Sequence, residues 1–212
     1  MKSPKAVQYE KKAQVLIKNL QSRHFDAFYC ETKEQALQKA LSFMPEGSSV
    51  GWGGATSAVQ IGLLDAVRCG NYVAFDRESA ASAEERTKII RECFGADFFI
   101  TGANALSLDG QMVNVDGSGN RVSAIIYGPE TVLVIAGMNK VCEDIDSAMV
   151  RARTVAAPIN QQRFLGHTPC SVTGVCGDCK SEQCICNQIV ITRHCRPAGR
   201  IKFILVGEDL GF

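Results

Sequence analysis

The chain has 212 residues, of which 46% are hydrophobic and 21% are charged, and its formal net charge is +1. This length suits one domain with a sizeable core, and the near-zero charge argues against a nucleic-acid partner. The charged N-terminus has no apolar core and no later run approaches the length of a membrane span, so we expect a cytoplasmic protein without membrane insertion.

Apolar periodicity gives the order of the elements. It predicts helices at 5–23, at 32–43 with Thr32 as N-cap, from a glycine-rich loop to about 69, at 82–94 with Ser82 and Glu85 in capping-box spacing, and at 144–155, the last ended by Pro158. It predicts strands at 25–30, 48–52, 71–75, 97–101, 131–136 and 200–207. Asp109-Gly110 indicates a hairpin between 105–108 and 111–115. Because strands alternate with helices, we predict an α/β fold with a largely parallel sheet plus one hairpin.

The cysteines fall into two groups. Cys30, Cys69, Cys93 and Cys142 are scattered through apolar segments and are typical of small buried hydrophobic residues. The other six lie between Cys170 and Cys195, in a segment rich in Cys, Gly, Thr and Pro that interrupts the α/β pattern before the last strand. Thiols stay reduced in the cytosol, so the cluster indicates a metal centre more than disulfides.

The spacing leaves the identity of the metal open. In cysteines alone the segment reads C-x5-C-x2-C-x4-C-x-C. Zinc sites usually combine two separated two-cysteine knuckles, and only Cys176 and Cys179 form one here. A compact run favours a single iron–sulfur cluster, although it does not have the bacterial ferredoxin spacing. Zinc and redox-active thiols are the alternatives.

Two polar segments are candidates for a ligand site. Gly51-Trp-Gly-Gly-Ala-Thr56 joins a strand to a helix, where backbone amides bind phosphate or carboxylate groups, but a tight turn without a ligand explains it equally well. Asn104 and the block 116–121 also follow strands, the position at which α/β sheets bind ligands. Arg121 suits a carboxylate or phosphate clamp, or a structural ion pair with an Asp. Glu208 is a candidate general base in a segment more typical of a solvated chain end.

Taken together and in order, several segments resemble one family, the LUD-domain family of lactate-utilisation proteins. The resemblance runs from about residue 6 to residue 212. Within the family, the chain is most similar to the short members that have a C-terminal cysteine motif. The segments that carry it are Gly51–Thr56, Thr101–Ala105, Asp109-Gly110, Val115–Arg121, Tyr127–Pro129, Ala136–Lys140, Ala156–Pro158 and the cysteine run ending in Ile185-Cys186-Asn187.

The resemblance implies a three-layer α/β fold like that of ribose-5-phosphate isomerase, glucosamine-phosphate deaminase and the coenzyme A transferases, with the cysteine-rich segment as an excursion. One domain would span 1–212, with an N-terminal helix in 1–24 and a metal-binding segment at 166–195. The ligand site implied by the resemblance comprises Gly51, Gly53, Gly54, Ala55, Thr56, Asn104, Asp116, Asn120 and Arg121.

The resemblance also implies the metal ligands. The family's cysteines match Cys170, Cys176, Cys179 and Cys186, whereas Cys184 stands where the family usually has another residue, often Arg. An iron–sulfur cluster of the 4Fe–4S type on these four residues is the expectation, with zinc as the alternative.

Two functions follow as expectations. The first is an accessory or electron-transfer subunit in the oxidation of L-lactate to pyruvate, working with iron–sulfur partner subunits. The second is an isomerase-like or transferase-like enzyme, or a binding module, for a phosphorylated or coenzyme A-linked molecule, with a structural zinc. In an enzyme, Asp116, Arg121 and Glu208 are the candidate catalytic residues. Both functions require a small anionic ligand, and a homo-oligomer is compatible with either.

Overall fold

The structure is a computed structural model that describes residues 2–212. Its strands are β1 (Asp26–Cys30), β2 (Ser49–Trp52), β3 (Val73–Phe75), β4 (Phe98–Gly102), β5 (Ala105–Ser107), β6 (Met112–Asp116), β7 (Thr131–Gly137), β8 (Val141–Cys142), β9 (Gln188–Thr192) and β10 (Ile201–Val206). Its α-helices are α1 (Pro4–Ser22), α2 (Lys33–Leu41), α3 (Thr56–Gln60), α4 (Leu63–Cys69), α5 (Ala83–Glu92), α6 (Asn120–Ile126), α7 (Ile145–Arg151), α8 (Ala157–Gln161) and α9 (Pro169–Thr173).

A six-stranded sheet forms the centre of the fold, in the order β1-β10-β7-β4-β2-β3, and every neighbouring pair is parallel. The central strand β7 is buried from Val132 to Gly137, as its uninterrupted apolar sequence predicts for a strand covered on both faces. The prediction of an α/β fold with a mainly parallel sheet is therefore confirmed.

The two faces of this sheet carry separate cores because successive side chains of a strand point to opposite faces. In β7, Val132 and Val134 face a core that includes Leu16 and Leu20 of α1. Leu133 and Ile135 face the other core, which is built with α2, α3 and α4. The helices are capped as the sequence indicates: the side chains of Thr32 and Ser82 accept hydrogen bonds from the first turns of α2 and α5.

The predicted hairpin is present, but it belongs to a second sheet of order β8-β5-β6-β9. This sheet packs on Ala148 of α7 and on Ala152, the residue that directly follows α7. Its edge strand β9 lies within the cysteine-rich segment, pairs antiparallel with β6, and was not predicted. Ile189 and Ile191 of β9 are 42% and 44% exposed, so these side chains lie at the edge of the second sheet and outside its core.

Two helix predictions need correction. The helix predicted at 144–155 does not end before Pro158. A π-helical turn at Ala152–Ala156 continues it into α8, and Pro158 lies near the start of α8. Proline has no N–H to donate, and the chain accommodates it by changing from α-helical to π-helical hydrogen bonding just before Pro158. The helix predicted after the glycine-rich loop is divided into α3 and α4 at Gly62, whose φ is 77°.

No helix within residues 2–212 combines the length and the apolar character needed to cross a lipid bilayer.

Candidate functional site

A cavity of about 350 Å³ lies beyond the carboxyl ends of β2, β4 and β7, where open α/β sheets bind ligands. The segments that follow these strands meet there with residues after β3 and β6. The lining includes Gly54, Thr56, Ser57, Arg77, Glu78, Arg86, Gly102, Asn104, Asp116, Asn120, Arg121, Lys140, Arg163, Phe164, Ile185 and Phe212.

Only part of the glycine-rich segment reaches this cavity. Gly54 and Thr56 line it, whereas Gly51 lies within β2 and Ala55 is buried in the core. A Cβ at Gly51 would lie 2.6 Å from the Cys93 Sγ atom, and a Cβ at Gly53 would lie 2.6 Å from the Arg121 Cγ atom. The structure therefore explains Gly51 and Gly53 by close packing and not by contact with a ligand.

Arg121 lies at the cavity, but its guanidinium group is fully engaged by the protein. Its Nη1 atom donates to the Gly102 carbonyl oxygen at 3.1 Å and to Asn114 Oδ1 at 2.6 Å. Its Nη2 atom donates to Asn104 Oδ1 at 2.9 Å and to the Val115 carbonyl oxygen at 2.8 Å.

The remaining Nε atom of Arg121 lies 3.4 Å from Asp116 Oδ2. All five donors of the guanidinium thus have acceptors within the protein, and none is free to clamp an anion. Burial lowers the pKa of Arg121, while Asp116 opposes that change. The structural ion pair, one of the two alternatives for Arg121, describes this geometry.

Of the other polar candidates, some line the cavity and others have structural partners outside it. Asn104 and Asn120 line the cavity, and Asn104 Oδ1 also accepts from the Val115 amide at 3.0 Å. Asp116 has one carboxylate oxygen on Arg121 and the other on the Gly119 amide, at 3.0 Å. The Glu208 carboxylate lies outside the cavity lining, where it accepts from the Lys33 amide at the start of α2. Glu208 therefore has a structural environment and not that of a general base.

Sequence reasoning missed the cations that do face the cavity. Arg77 follows β3, Arg86 lies in α5 and Arg163 follows α8, so no single motif contains them. The Arg77 Nε atom is buried without a hydrogen-bond partner, and burial, followed by the charge of Arg86, lowers the pKa of Arg77. A buried donor without an acceptor is costly, and a bound anion would satisfy it.

Lys140 was also missed as a site residue, although it ends one of the segments that carry the family resemblance. It is 4% exposed, lines the cavity, and donates from Nζ to Ser57 Oγ and to the Ala103 carbonyl oxygen, both at 3.1 Å. Burial, followed by the charges of Arg151 and Arg121, lowers the pKa of Lys140 to about 7.

The cysteine-rich segment, residues 166–195, lies beside this cavity. Ile185, between Cys184 and Cys186, lines the cavity and lies against Gly117. The Asn187 amide donates to the Asp116 carbonyl oxygen, and the Asn187 side chain donates to the Gly117 carbonyl oxygen, each at 3.0 Å. The loop that follows β6 is therefore shared by the cavity and the cysteine-rich segment.

The thiols of this segment gather around Cys186. Burial, followed by the neighbouring thiols of Cys184, Cys176 and Cys170, raises the pKa of Cys186 to about 12. Cys184 Sγ accepts from the Cys186 amide at 3.4 Å, so it belongs to the same group. Across residues 2–212, no three His, Cys, Asp or Glu side chains converge closely enough to hold a metal ion.

The chemistry of this donor set nevertheless fits a thiolate-bound centre. Cys170, Cys176, Cys179, Cys184 and Cys186 are all partly exposed, and their sulfur atoms are soft ligands. Repulsion between neighbouring thiolates is one cause of the raised pKa of Cys186. The positive charge of a bound metal centre would offset this repulsion, and the thiols would release their protons on binding it.

Comparison with known proteins agrees with this fold. A structure described as a DUF162 family protein from Deinococcus radiodurans is similar over 93% of this chain and 97% of that chain, with 12% identity and a TM-score of 0.51. The eIF2B beta structure from Chaetomium thermophilum is matched with 16% identity over 54% of this chain and 44% of that one, with a TM-score of 0.37. The eIF2B delta structure from the same organism is matched with 13% identity over 66% and 57%, with a TM-score of 0.36.

The two eIF2B scores are too low to support an argument, and the curated proteins include no match to this sequence. The LUD domain model, in contrast, matches residues 13–206, which is most of the chain. The chain therefore belongs to the LUD domain family, the family associated with lactate utilisation.

Proposed function

We propose that this protein binds a small carboxylate in the cavity and carries an iron–sulfur cluster on the adjacent cysteine-rich segment. In this role it is an accessory or electron-transfer subunit in the oxidation of L-lactate to pyruvate, together with iron–sulfur partner subunits. The observation that carries the proposal is the shared wall: Ile185 of the cysteine-rich segment lines a cavity that contains a buried, unpartnered arginine donor.

The charge of the cavity supports an anionic ligand. Arg77, Arg86 and Arg163 line it, whereas the carboxylate of Glu78, another lining residue, is paired with Arg68 at 3.3 Å. The other carboxylate, that of Asp116, is paired with Arg121. Because the cations exceed the free carboxylates, the lining attracts an anion, and the Arg77 Nε atom would gain its missing acceptor from a carboxylate oxygen.

Cys170, Cys176, Cys179 and Cys186 would hold the cluster, in agreement with the family resemblance, and Cys170 and Cys176 are among the thiols that raise the pKa of Cys186. When bound, a 4Fe–4S cluster supplies one-electron transfer. The residues of this chain have the task of placing the ligand beside it: the Asn187 hydrogen bonds tie the cysteine-rich segment to the Asp116–Gly117 loop.

The size of the cavity favours a second candidate. A volume of about 350 Å³ is within the range of sites for larger metabolites, and a three-carbon acid would fill only part of it. A phosphorylated or coenzyme A-linked ligand also suits several arginines. The alternative is therefore an isomerase-like or transferase-like enzyme, or a binding module, in which the cysteines hold a structural zinc.

Titration calorimetry separates the two candidates. We would titrate the anaerobically purified protein with L-lactate, pyruvate, ribose 5-phosphate and coenzyme A, each in parallel with the Arg77→Ala variant. Binding of lactate or pyruvate that the variant weakens is the expected result. Binding of only the phosphorylated compounds would move the assignment to the second candidate, and a folded protein that binds none of the four would contradict both.

A further inference from the structure

Lys140 has an environment that a structural lysine does not need. Its Nζ atom has two acceptors, the Ser57 hydroxyl and the Ala103 carbonyl oxygen, and no carboxylate of residues 2–212 forms an ion pair with it. An ammonium group carries three protons and a full charge, so this site neither pairs nor fully solvates it.

Lys202 provides the contrast within the same chain. Its Nζ atom pairs with Asp26 Oδ2 at 2.6 Å and donates to the Gly199 carbonyl oxygen at 2.9 Å, while its side chain remains 20% exposed. Lys202, in β10, is thus a lysine whose charge is balanced by a carboxylate. Lys140 is a buried amine that faces a cavity without a counter-ion.

The surroundings of Lys140 favour its neutral form. Burial and the nearby charges of Arg151 and Arg121 bring its pKa to about 7, so about half of the molecules hold a free amine at neutral pH. Desolvation and neighbouring cations are the two devices that make a lysine nucleophilic at neutral pH. An exposed lysine holds a roughly thousandfold smaller fraction of free amine at pH 7.

The Lys140 amine packs closely against the backbone at Gly211, where no side chain could be accommodated without displacing it. A Cβ at Gly211 would lie 2.7 Å from the Lys140 Nζ atom and 2.8 Å from Ser57 Oγ. The same cavity presents Arg77 and Arg163, which suit the carboxylate of a ligand. Because the arginines suit a carboxylate and the amine suits a carbonyl carbon, the lining fits a small acid that also carries a carbonyl group.

We propose that Lys140 is a nucleophile that forms an imine with the carbonyl carbon of a small 2-oxo acid bound in the cavity. This inference rests on the proposed function, because it takes the carboxylate site as given and adds covalent chemistry to it. The class of ligand is a short 2-oxo carboxylate, of which pyruvate is the simplest ketone.

The step balances without an oxidant or a reductant. The Nζ lone pair attacks the carbonyl carbon, the π electrons move to the oxygen, and that oxygen takes up a proton to give a carbinolamine. The carbinolamine then loses its hydroxyl group as water and the nitrogen loses its second proton, which leaves a C=N bond. The Ser57 hydroxyl, 3.1 Å from Nζ, is placed to carry a proton between the nitrogen and the oxygen.

Reductive trapping tests this inference. The full-length protein is incubated with pyruvate and sodium cyanoborohydride near pH 7, and peptides are mapped by mass spectrometry. We expect one pyruvate-derived adduct per chain, on the peptide that contains Lys140, formed at least about tenfold faster than adducts on exposed lysines, given their smaller free-amine fraction. Lys140→Arg should abolish it, whereas Lys88→Arg, at an exposed lysine of α5, should not.

Calorimetric binding of pyruvate, measured in parallel, separates the two possible failures. Binding without an adduct on Lys140, or with adducts spread evenly over surface lysines, would overturn the imine and leave the carboxylate site intact. Absence of both binding and adduct would overturn the imine together with the proposed function. Because the adduct is located in the wild-type protein, the result does not depend on whether Lys140→Arg folds.

Discussion

The cavity wall and the cysteine-rich segment obtain their geometry in opposite ways. Around the cavity, Arg121 satisfies all its donors within the protein, and the strands that position it are buried. In the segment 166–195, only α9 and β9 are regular and the thiols around Cys186 are partly exposed. The cavity is therefore built by the fold itself, whereas under the proposed function the segment would obtain its final geometry by binding the cluster.

The largest expected effect is the loss of the cluster when one of its cysteine ligands is replaced. Cys176→Ser should remove most of the iron and sulfide from anaerobically purified protein, because serine is a poor replacement for a thiolate that ligates one iron of the cluster. Elemental analysis per folded chain measures this. Cys184→Ser is the matched control and should retain the cluster, since the family resemblance places Cys184 outside the ligand set. Equal losses in the two variants would show that the four-cysteine assignment is wrong.

Arg121→Ala tests the opposite claim, that the cavity wall is stabilised from within. It should lower the free energy of unfolding by about 3–5 kcal/mol, because it leaves the buried Asp116 carboxylate without its cation and the Gly102 and Val115 carbonyl oxygens without this donor. Urea denaturation measures the change. Arg163→Ala, at an exposed arginine of the same cavity, should change the stability by no more than about 0.5 kcal/mol. A mild effect of Arg121→Ala would indicate that this arginine is free for a ligand.

The pH dependence of stability should report Lys140. Its pKa is about 7 in the folded chain and near 10.5 in the unfolded chain, so between these values the unfolded state binds more protons. Stability therefore rises with pH through this window and is lost as pH falls towards 7.

Relative to Lys140→Met, the wild-type protein should gain about 1.5 kcal/mol between pH 7 and pH 8.5, at most about 1.4 kcal/mol per pH unit. Urea denaturation of both proteins at the two pH values measures the difference. Parallel pH profiles for the two proteins would show that Lys140 remains charged, and thus paired, in the folded state.

The smallest of these effects concerns the ligand. Arg77→Ala should weaken pyruvate binding about tenfold, the loss of one charge-assisted hydrogen bond, while leaving the unfolding midpoint nearly unchanged. Arg91→Ala, at an arginine of α5 outside the cavity lining, is the control and should bind normally. Equal affinities for wild type and Arg77→Ala would show that the unpartnered Nε atom is not a ligand donor.

The sequence predicts most of the fold because local signals and tertiary structure agree there. The apolar run of β7, the caps at Thr32 and Ser82, and the Asp109-Gly110 turn are each confirmed where they were predicted. The failures lie where local and tertiary signals separate. Helix α6 was not predicted: it starts at Asn120, directly after a Gly119 with φ of 83°, inside a polar block that the sequence indicated only as a candidate ligand segment.

The site was predicted only as far as its neighbourhood. Polar residues at strand ends pointed to the correct edge of the sheet, and Gly54, Asn104, Asp116 and Asn120 do line the cavity there. What Lys140 and Arg77 contribute depends on burial by residues far away in the chain: the partners of Lys140 are Ser57 and Ala103. No sequence pattern reports such an environment, and a lysine with a lowered pKa looks like any other lysine in a sequence.

The proposed function places a carboxylate cavity beside an iron–sulfur cluster held by cysteines. The presence of the cluster is the part of this proposal that one experiment can test most directly. The direct measurement is the visible spectrum of anaerobically purified protein, with iron, sulfide and zinc analysis on the same sample. The account predicts a brown protein with broad absorbance near ~400 nm and about equal amounts of iron and sulfide. A colourless protein with one zinc per chain would contradict it and would make the cysteine-rich segment a structural clip beside the cavity.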